Sequence, residues 1–94
     1  MHATVRHYRN APGLIDGLIG HEEEIRGLLQ EIDGFRAYYL VRTGNEGAIS
    51  ISVYEDKAGT EASTAAAREW IAANLPGIAG SPPEVSDGEV ALGI

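Results

Sequence analysis

Along this 94-residue chain the spacing of the apolar residues switches repeatedly between the period of a strand and the period of a helix. Ala3 to Arg9 alternates Ala3, Val5, His7 and Arg9 against Thr4, Arg6 and Tyr8, and its β-branched and aromatic content predicts a strand. Asn10-Ala11-Pro12-Gly13 is turn chemistry that ends it. From Leu14 to Ile32 the pattern becomes Leu14, Leu18, His21, Ile25, Leu28, Ile32, which is one face of a helix, with Gly34 placed to stop it. Phe35 to Arg42 is dense in aromatic and β-branched residues and predicts a second strand. Thr43 to Gly47 reads as a hairpin loop. Ala48 to Glu55 returns as a third strand, with Ile49, Ile51 and Val53 alternating against Ser50, Ser52 and Tyr54. Pairing Arg42 with Ala48 across the loop sets Tyr38 opposite Ser52 and Arg36 opposite Tyr54.

Asp56 or Thr60 can cap the next helix, whose stripe of Ala62, Ala66, Trp70 and Ala73 is widened by Ala67 and Ile71. Pro76-Gly77 closes it. After the aperiodic stretch 77–83, Glu84 to Ile94 predicts a last strand, marked by Val90, Leu92 and Ile94 and bulged at Asp87-Gly88. The order β-α-β-β-α-β, with right-handed crossovers, sets the first strand beside the third and both helices on one face of an antiparallel sheet. The expected architecture is therefore α+β, ferredoxin-like, in a single domain over residues 1–94. Apolar side chains occupy both faces of the second and third strands, and no chain is left to cover the far face. A homodimer packed sheet against sheet is the economical answer.

Composition narrows the function. A net charge of −7, with seven scattered basic residues, argues against nucleic acid as a partner, because phosphates recruit clustered Lys and Arg. No apolar run approaches the roughly 20 residues that span a bilayer, so no membrane partner is expected. The opening MHATVRHYRN has no apolar core of a secretory signal, which leaves the cytoplasm as the expected address. The absence of Cys excludes a thiolate nucleophile, a disulfide framework and Cys-ligated metal. His21-Glu22-Glu23-Glu24 is not a zinc-binding helix and reads as a solvated face. His2, His7 and His21 have no metal spacing, so neither metal nor cofactor is expected.

Several stretches together carry a family resemblance: Asp33-Gly34-Phe35 entering the second strand, Tyr38 within it, and Val53-Tyr54-Glu55-Asp56-Lys57-Ala58 leaving the third. On these the chain resembles the dimeric α/β-barrel proteins of the antibiotic-biosynthesis-monooxygenase-like group, across nearly its whole length. The resemblance implies a homodimer with a pocket between sheet and helices in each subunit. It also implies, among other activities of that group, cofactor-independent oxygenation of an aromatic or apolar small molecule, and an isomerase acting on such a substrate is the other enzymatic expectation. A non-catalytic ligand-binding or stress-related module on the same scaffold is the alternative. Haem-degrading members carry an Asn on the first strand, a Trp early in the second helix and a His beyond it. Here the first strand has no Asn before its closing turn, the early helix position falls near Ser63, Trp70 comes late, and no His follows His21. Those departures argue against haem degradation.

The pocket candidates are His21, Tyr38, Ser52, Tyr54, Trp70 and Arg6. His21, inside the apolar stripe, is a general base or ligand contact, or else a part-exposed histidine bonded to a carbonyl. Tyr38 and Tyr54 either aim hydroxyls into a pocket or pack in the core or dimer interface. Trp70 is a cleft wall or the largest core residue of its helix. Ser50 and Ser52 face an Ala-rich helix across either close packing or a cavity. Arg6 and Arg36 either bind a ligand carboxylate or pair with Asp and Glu at a dimer edge, and pairing is the favoured expectation.

Overall fold

The computed structural model of the chain describes residues 1–44, 46–78 and 82–94, with Ile78 as backbone only. Strand β1 (His2–Tyr8) leads into two short helices, α1 (Leu14–Ile19) and α2 (Glu22–Gln30). A hairpin of β2 (Phe35–Thr43) and β3 (Gly47–Tyr54) follows, then the long helix α3 (Lys57–Asn74), a 3-10 turn at Pro76–Ile78, and β4 (Glu84–Glu89). The four-stranded antiparallel sheet has the order β2-β3-β1-β4, with the first strand beside the third as the crossover rule requires. This is the ferredoxin-like α+β architecture.

The hairpin register agrees with the alternation: Arg42 faces Ala48 and Tyr38 faces Ser52. It departs at the far end, where a bulge between Phe35 and Ala37 sets Phe35, not Arg36, opposite Tyr54. The extra residue turns Arg36 outward, where it pairs with Glu55.

Three expectations need correction. The helix over 14–32 is two helices, because His21 leaves the helical region at φ −121°, ψ 31°. Glu22, Glu23 and Glu24 then stand in the first turn of α2, where carboxylates favour the positive end of the helix dipole. The acidic run is thus a helix start as well as a solvated face. On α3 the buried face is Gly59, Thr60, Ser63 and Trp70, while Ala62 and Ala73 are exposed. Helix α3 is rotated because its hydroxyls serve a polar group beneath it, described below. The last strand ends at Glu89, with an unbroken register against β1 and no bulge at Asp87-Gly88, and Leu92 and Ile94 lie exposed beyond it. The sequence stretch 77–83 falls partly outside the described residues.

Two fastenings hold the helices to the sheet. Asp56 caps α3 by accepting a hydrogen bond from the Gly59 backbone N–H at 3.0 Å. Gly59 then lies directly on Tyr54: a Cβ there would stand 2.8 Å from two carbons of that side chain. Tyr54 is fully buried, and its hydroxyl donates to the Leu29 carbonyl at 2.7 Å, tying the end of α2 to β3. The turn from α2 into β2 uses Gly34 at φ 85°, a left-handed position that suits glycine, and its carbonyl accepts from the Glu55 N–H at 2.8 Å. The apolar core gathers Leu14, Ile15 and Leu18 of α1 with Ala48 and Trp70.

Candidate functional site

The helix-side face of the sheet is polar at its centre. Thr4 and Arg6 of β1 and Ser50, Ser52 and Tyr54 of β3 point toward the helices and are buried, whereas Ile49, Ile51 and Val53 point to the open face. Arg6 retains only 2% of its exposure. Each of its N–H groups meets a hydroxyl: Nε donates to Thr64 at 3.2 Å, and Nη1 donates to Ser50 at 3.2 Å and Ser52 at 3.0 Å. Nη2 donates to Ser63 at 3.1 Å and Thr64 at 2.6 Å. The guanidinium is therefore satisfied in geometry. Burial nevertheless pulls its pKa below the ordinary arginine value, because removing a cation from water is costly even when its donors are bonded. Ser63 and Thr64 donate in turn to the Thr60 carbonyl at 2.8 and 3.1 Å, which fixes both oxygens as acceptors for the arginine.

Beside this cage lies a recess of about 20 Å³ bordered by Arg6, Tyr8, Tyr38, Ser50 and Trp70. It adjoins a larger cleft of about 260 Å³ between α1, α2 and β2. Leu18, Ile25, Leu29, Tyr38 and Leu40 border both spaces. Ile19 and Phe35 extend the apolar wall of the cleft, and Glu22, Arg26 and Gln30 form a polar rim on which Arg26 and Glu22 pair at 2.9 Å. Burial pushes the Tyr38 phenol above its usual value, with the Arg6 charge opposing the shift, and Tyr8 is raised for the same reason. Both phenols therefore remain protonated at neutral pH. A shallower groove of about 310 Å³ lies on the other flank of α3, along Thr4, Lys57, Thr64, Arg68 and Asp87. Among the described residues no group of three His, Cys, Asp or Glu is placed to hold a metal ion, and no helix is long and apolar enough to cross a membrane.

The predicted site residues separate into two sets. Arg6, Tyr38 and Trp70 meet at the recess, and Ser52 supports Arg6 from behind. Tyr54 is a structural anchor bonded to Leu29 and packed edge-to-face on Phe35 at 5.6 Å. His21 is exposed at the break between α1 and α2, edge-on to Trp70 at 5.2 Å and 3.6 Å from Glu24, and borders neither cavity. The favoured pairing of Arg6 with an acidic residue gives way to the hydroxyl cage, while Arg36 does pair, with Glu55. Sequence reasoning missed Ser63 and Thr64. Their signal was the spacing Thr60-Ser63-Thr64, a hydroxyl stripe on one helix face to match Ser50 and Ser52 on one strand face.

The described residues thus form a ferredoxin-like sheet with an apolar cleft under its helices. No protein-family model and no curated protein matches the sequence. Solved structures match over nearly the whole chain. The NE2512 protein of unknown function from Nitrosomonas europaea superposes with a TM-score of 0.75 at 20% identity, covering 99% of this chain and 91% of that one. SnoaB, a cofactor-independent oxygenase from Streptomyces nogalater, gives 0.71 at 14% identity, covering 99% and 95%. The ActVA-Orf6 monooxygenase of Streptomyces coelicolor, in complex with the ligand nanaomycin D, gives 0.71 at 13% identity, covering 99% and 89%. The chain has the fold of the antibiotic biosynthesis monooxygenases.

Proposed function

We propose that this chain is a homodimeric, monooxygenase-like protein that holds an apolar aromatic substrate in the cleft under its helices and oxidises it with dioxygen, without a cofactor. The observation that carries the reading is the cleft itself. Its volume of about 260 Å³ lies just below the usual range for small-molecule sites, its walls include Leu, Ile and Phe, and Tyr38, whose phenol burial keeps protonated, lines it. The oxygenase SnoaB and the ligand-bound ActVA-Orf6 on the same fold support it. The chain's part in the reaction is to bind, orient and desolvate an electron-rich substrate.

The dimer rests on the open face of the sheet. Val5, Tyr39 and Val41 are exposed there, Tyr39 to 60%, beside the half-buried Ile49, Ile51 and Val53. Such a contiguous apolar surface calls for a partner, and a second copy of the same face is self-complementary. Ile51 lies between Val5 and Tyr39 at its centre, so Ile51→Asp should convert the dimer to a monomer in light scattering. A wild-type chain that is monomeric at micromolar concentration overturns the dimer.

The activity is tested with anthrone as substrate. One dioxygen is consumed per anthrone, one oxygen atom entering the new quinone carbonyl and the other leaving as water, so an oxygen electrode and anthraquinone absorbance must agree. Failure of the protein to accelerate this conversion while still binding anthrone favours the second reading, a non-catalytic binding module. One observation favours that reading independently: Glu22, the sole carboxylate on the cleft among the described residues, is paired with Arg26 rather than free to act as a base.

A further inference from the structure

The arginines of this chain are distributed against the usual logic of burial. Arg9, Arg26, Arg36 and Arg42 stand at the surface and each pairs with a carboxylate, and Arg68 is exposed to water. Arg6, the buried one, has no Asp or Glu partner among the described residues, only neutral hydroxyls. Hydroxyls satisfy N–H groups but do not cancel a charge, and an uncompensated buried cation is among the more destabilising features a core can hold. A second group at the same place lacks a partner. Trp70 is buried and borders the recess, and its Nε1–H is the one buried side-chain polar atom without a hydrogen-bond partner among the described residues. A guanidinium without an anion and an indole N–H without an acceptor ask for the same thing.

The dimensions state what would supply it. A recess of about 20 Å³ has room for one water-sized group, that is, one oxygen atom. Leu18, Ile25, Leu29, Tyr38 and Leu40 border both this recess and the cleft of about 260 Å³, so the two spaces are adjacent, and Arg6 lines the recess but not the cleft. Tyr38, Ser50 and Trp70 border that recess, where the Trp70 indole N–H is without a partner and the Arg6 charge lies behind Ser50.

We propose that the recess is an oxyanion seat: the cleft and recess together take an apolar, aromatic molecule bearing one acidic oxygen, as a phenolate, enolate or carboxylate, and the anion supplies the counter-charge that Arg6 lacks. This deepens the cleft reading and rests on it. The charge of Arg6 selects the ionised form of the ligand over the neutral one, and the hydroxyl cage keeps the guanidinium oriented while the seat is empty.

The test titrates the full chain with 2-naphthoate and with its uncharged isostere 2-naphthamide. It follows binding calorimetrically and through the amide-correlation signal of the single indole N–H, which Trp70 alone contributes. Naphthoate should bind at least about tenfold more tightly than naphthamide and shift the Trp70 indole proton downfield. In a second arm, 4-nitrophenol read by absorbance should ionise at lower pH when bound than when free. Preference in the first arm alone identifies a carboxylate ligand, and preference in the second alone a phenolate or enolate. Equal affinity for naphthoate and naphthamide with no lowering of the nitrophenol pKa overturns the oxyanion seat and leaves the apolar cleft standing. Absence of binding by every probe overturns both. Arg6→Met, an apolar replacement that removes the buried charge, should bring the affinities for naphthoate and naphthamide to within about twofold of each other. The wild-type comparison decides the matter even if that variant does not fold.

Discussion

The Tyr54 hydroxyl offers a measurement of how strongly the wall of the cleft is fastened. Replacing Tyr54 with Phe keeps the ring, its edge-to-face contact with Phe35 and its packing on Gly59, and deletes only the donor to the Leu29 carbonyl at 2.7 Å. That carbonyl lies in the last turn of α2, where it also receives the Ile32 N–H, but at a stretched 3.4 Å. Losing a short bond to a buried acceptor that has only weak compensation costs about 1–2 kcal/mol. For a domain of this size each kcal/mol moves Tm by roughly 4–8 °C, so Tyr54→Phe should melt roughly 5–15 °C below wild type. Far-UV circular dichroism at one fixed protein concentration is the assay, since Tm of a protein that self-associates depends on concentration. Urea titration should show a lower midpoint with an unchanged slope. Because Leu29 borders both the cleft and the recess, the same variant should loosen ligand binding. A Tm within about 2 °C of wild type would refute the claim that this bond anchors α2 to the sheet.

Three further outcomes follow from the same geometry. Gly59→Ala drives a methyl group against Tyr54, forces α3 off the sheet, and should cost about 1–3 kcal/mol in chemical denaturation. Asp56→Ala removes the side-chain cap of α3 and should cost about 1 kcal/mol, with Asp56→Asn retaining most of it. In alkali, burial holds the phenols of Tyr8, Tyr38 and Tyr54 protonated above their usual 10.0 in the folded chain, while the unfolded chain ionises near that value. The unfolded state thus loses its protons first, so stability is intact below about pH 10 and falls as pH rises through the folded values; Tyr38→Phe should make the decline shallower in pH-dependent denaturant melts.

Element order, the hairpin register from Arg42 to Tyr38, the Asp56 cap and the left-handed conformation of Gly34 were legible in the chain itself, because each depends on residues a few positions apart, although α2 already ends at Gln30 and Gly34 serves the turn into β2. The helix break at His21 was less so. An unbroken apolar period ran through it, and only the three glutamates that follow marked a new helix start. The candidate site was legible in part: Arg6, Tyr38, Ser52 and Trp70 could be named, but not the company they keep.

Alternation along β3 says that isoleucines and serines lie on opposite faces; it does not say which face meets the helices. A sequence reading based on hydrophobicity would send Ile49 and Ile51 inward, and the fold does the reverse. The reason is Arg6, which points from β1 into the helix side and draws its acceptors from positions 44 to 58 residues away in the chain. Local pattern determined that there would be a sheet with two unlike faces. Only the packing of α3 over β1 and β3 decided that the space between the serines and that helix would be filled by a buried cation without an anion, and that the isoleucines would be left on the open face.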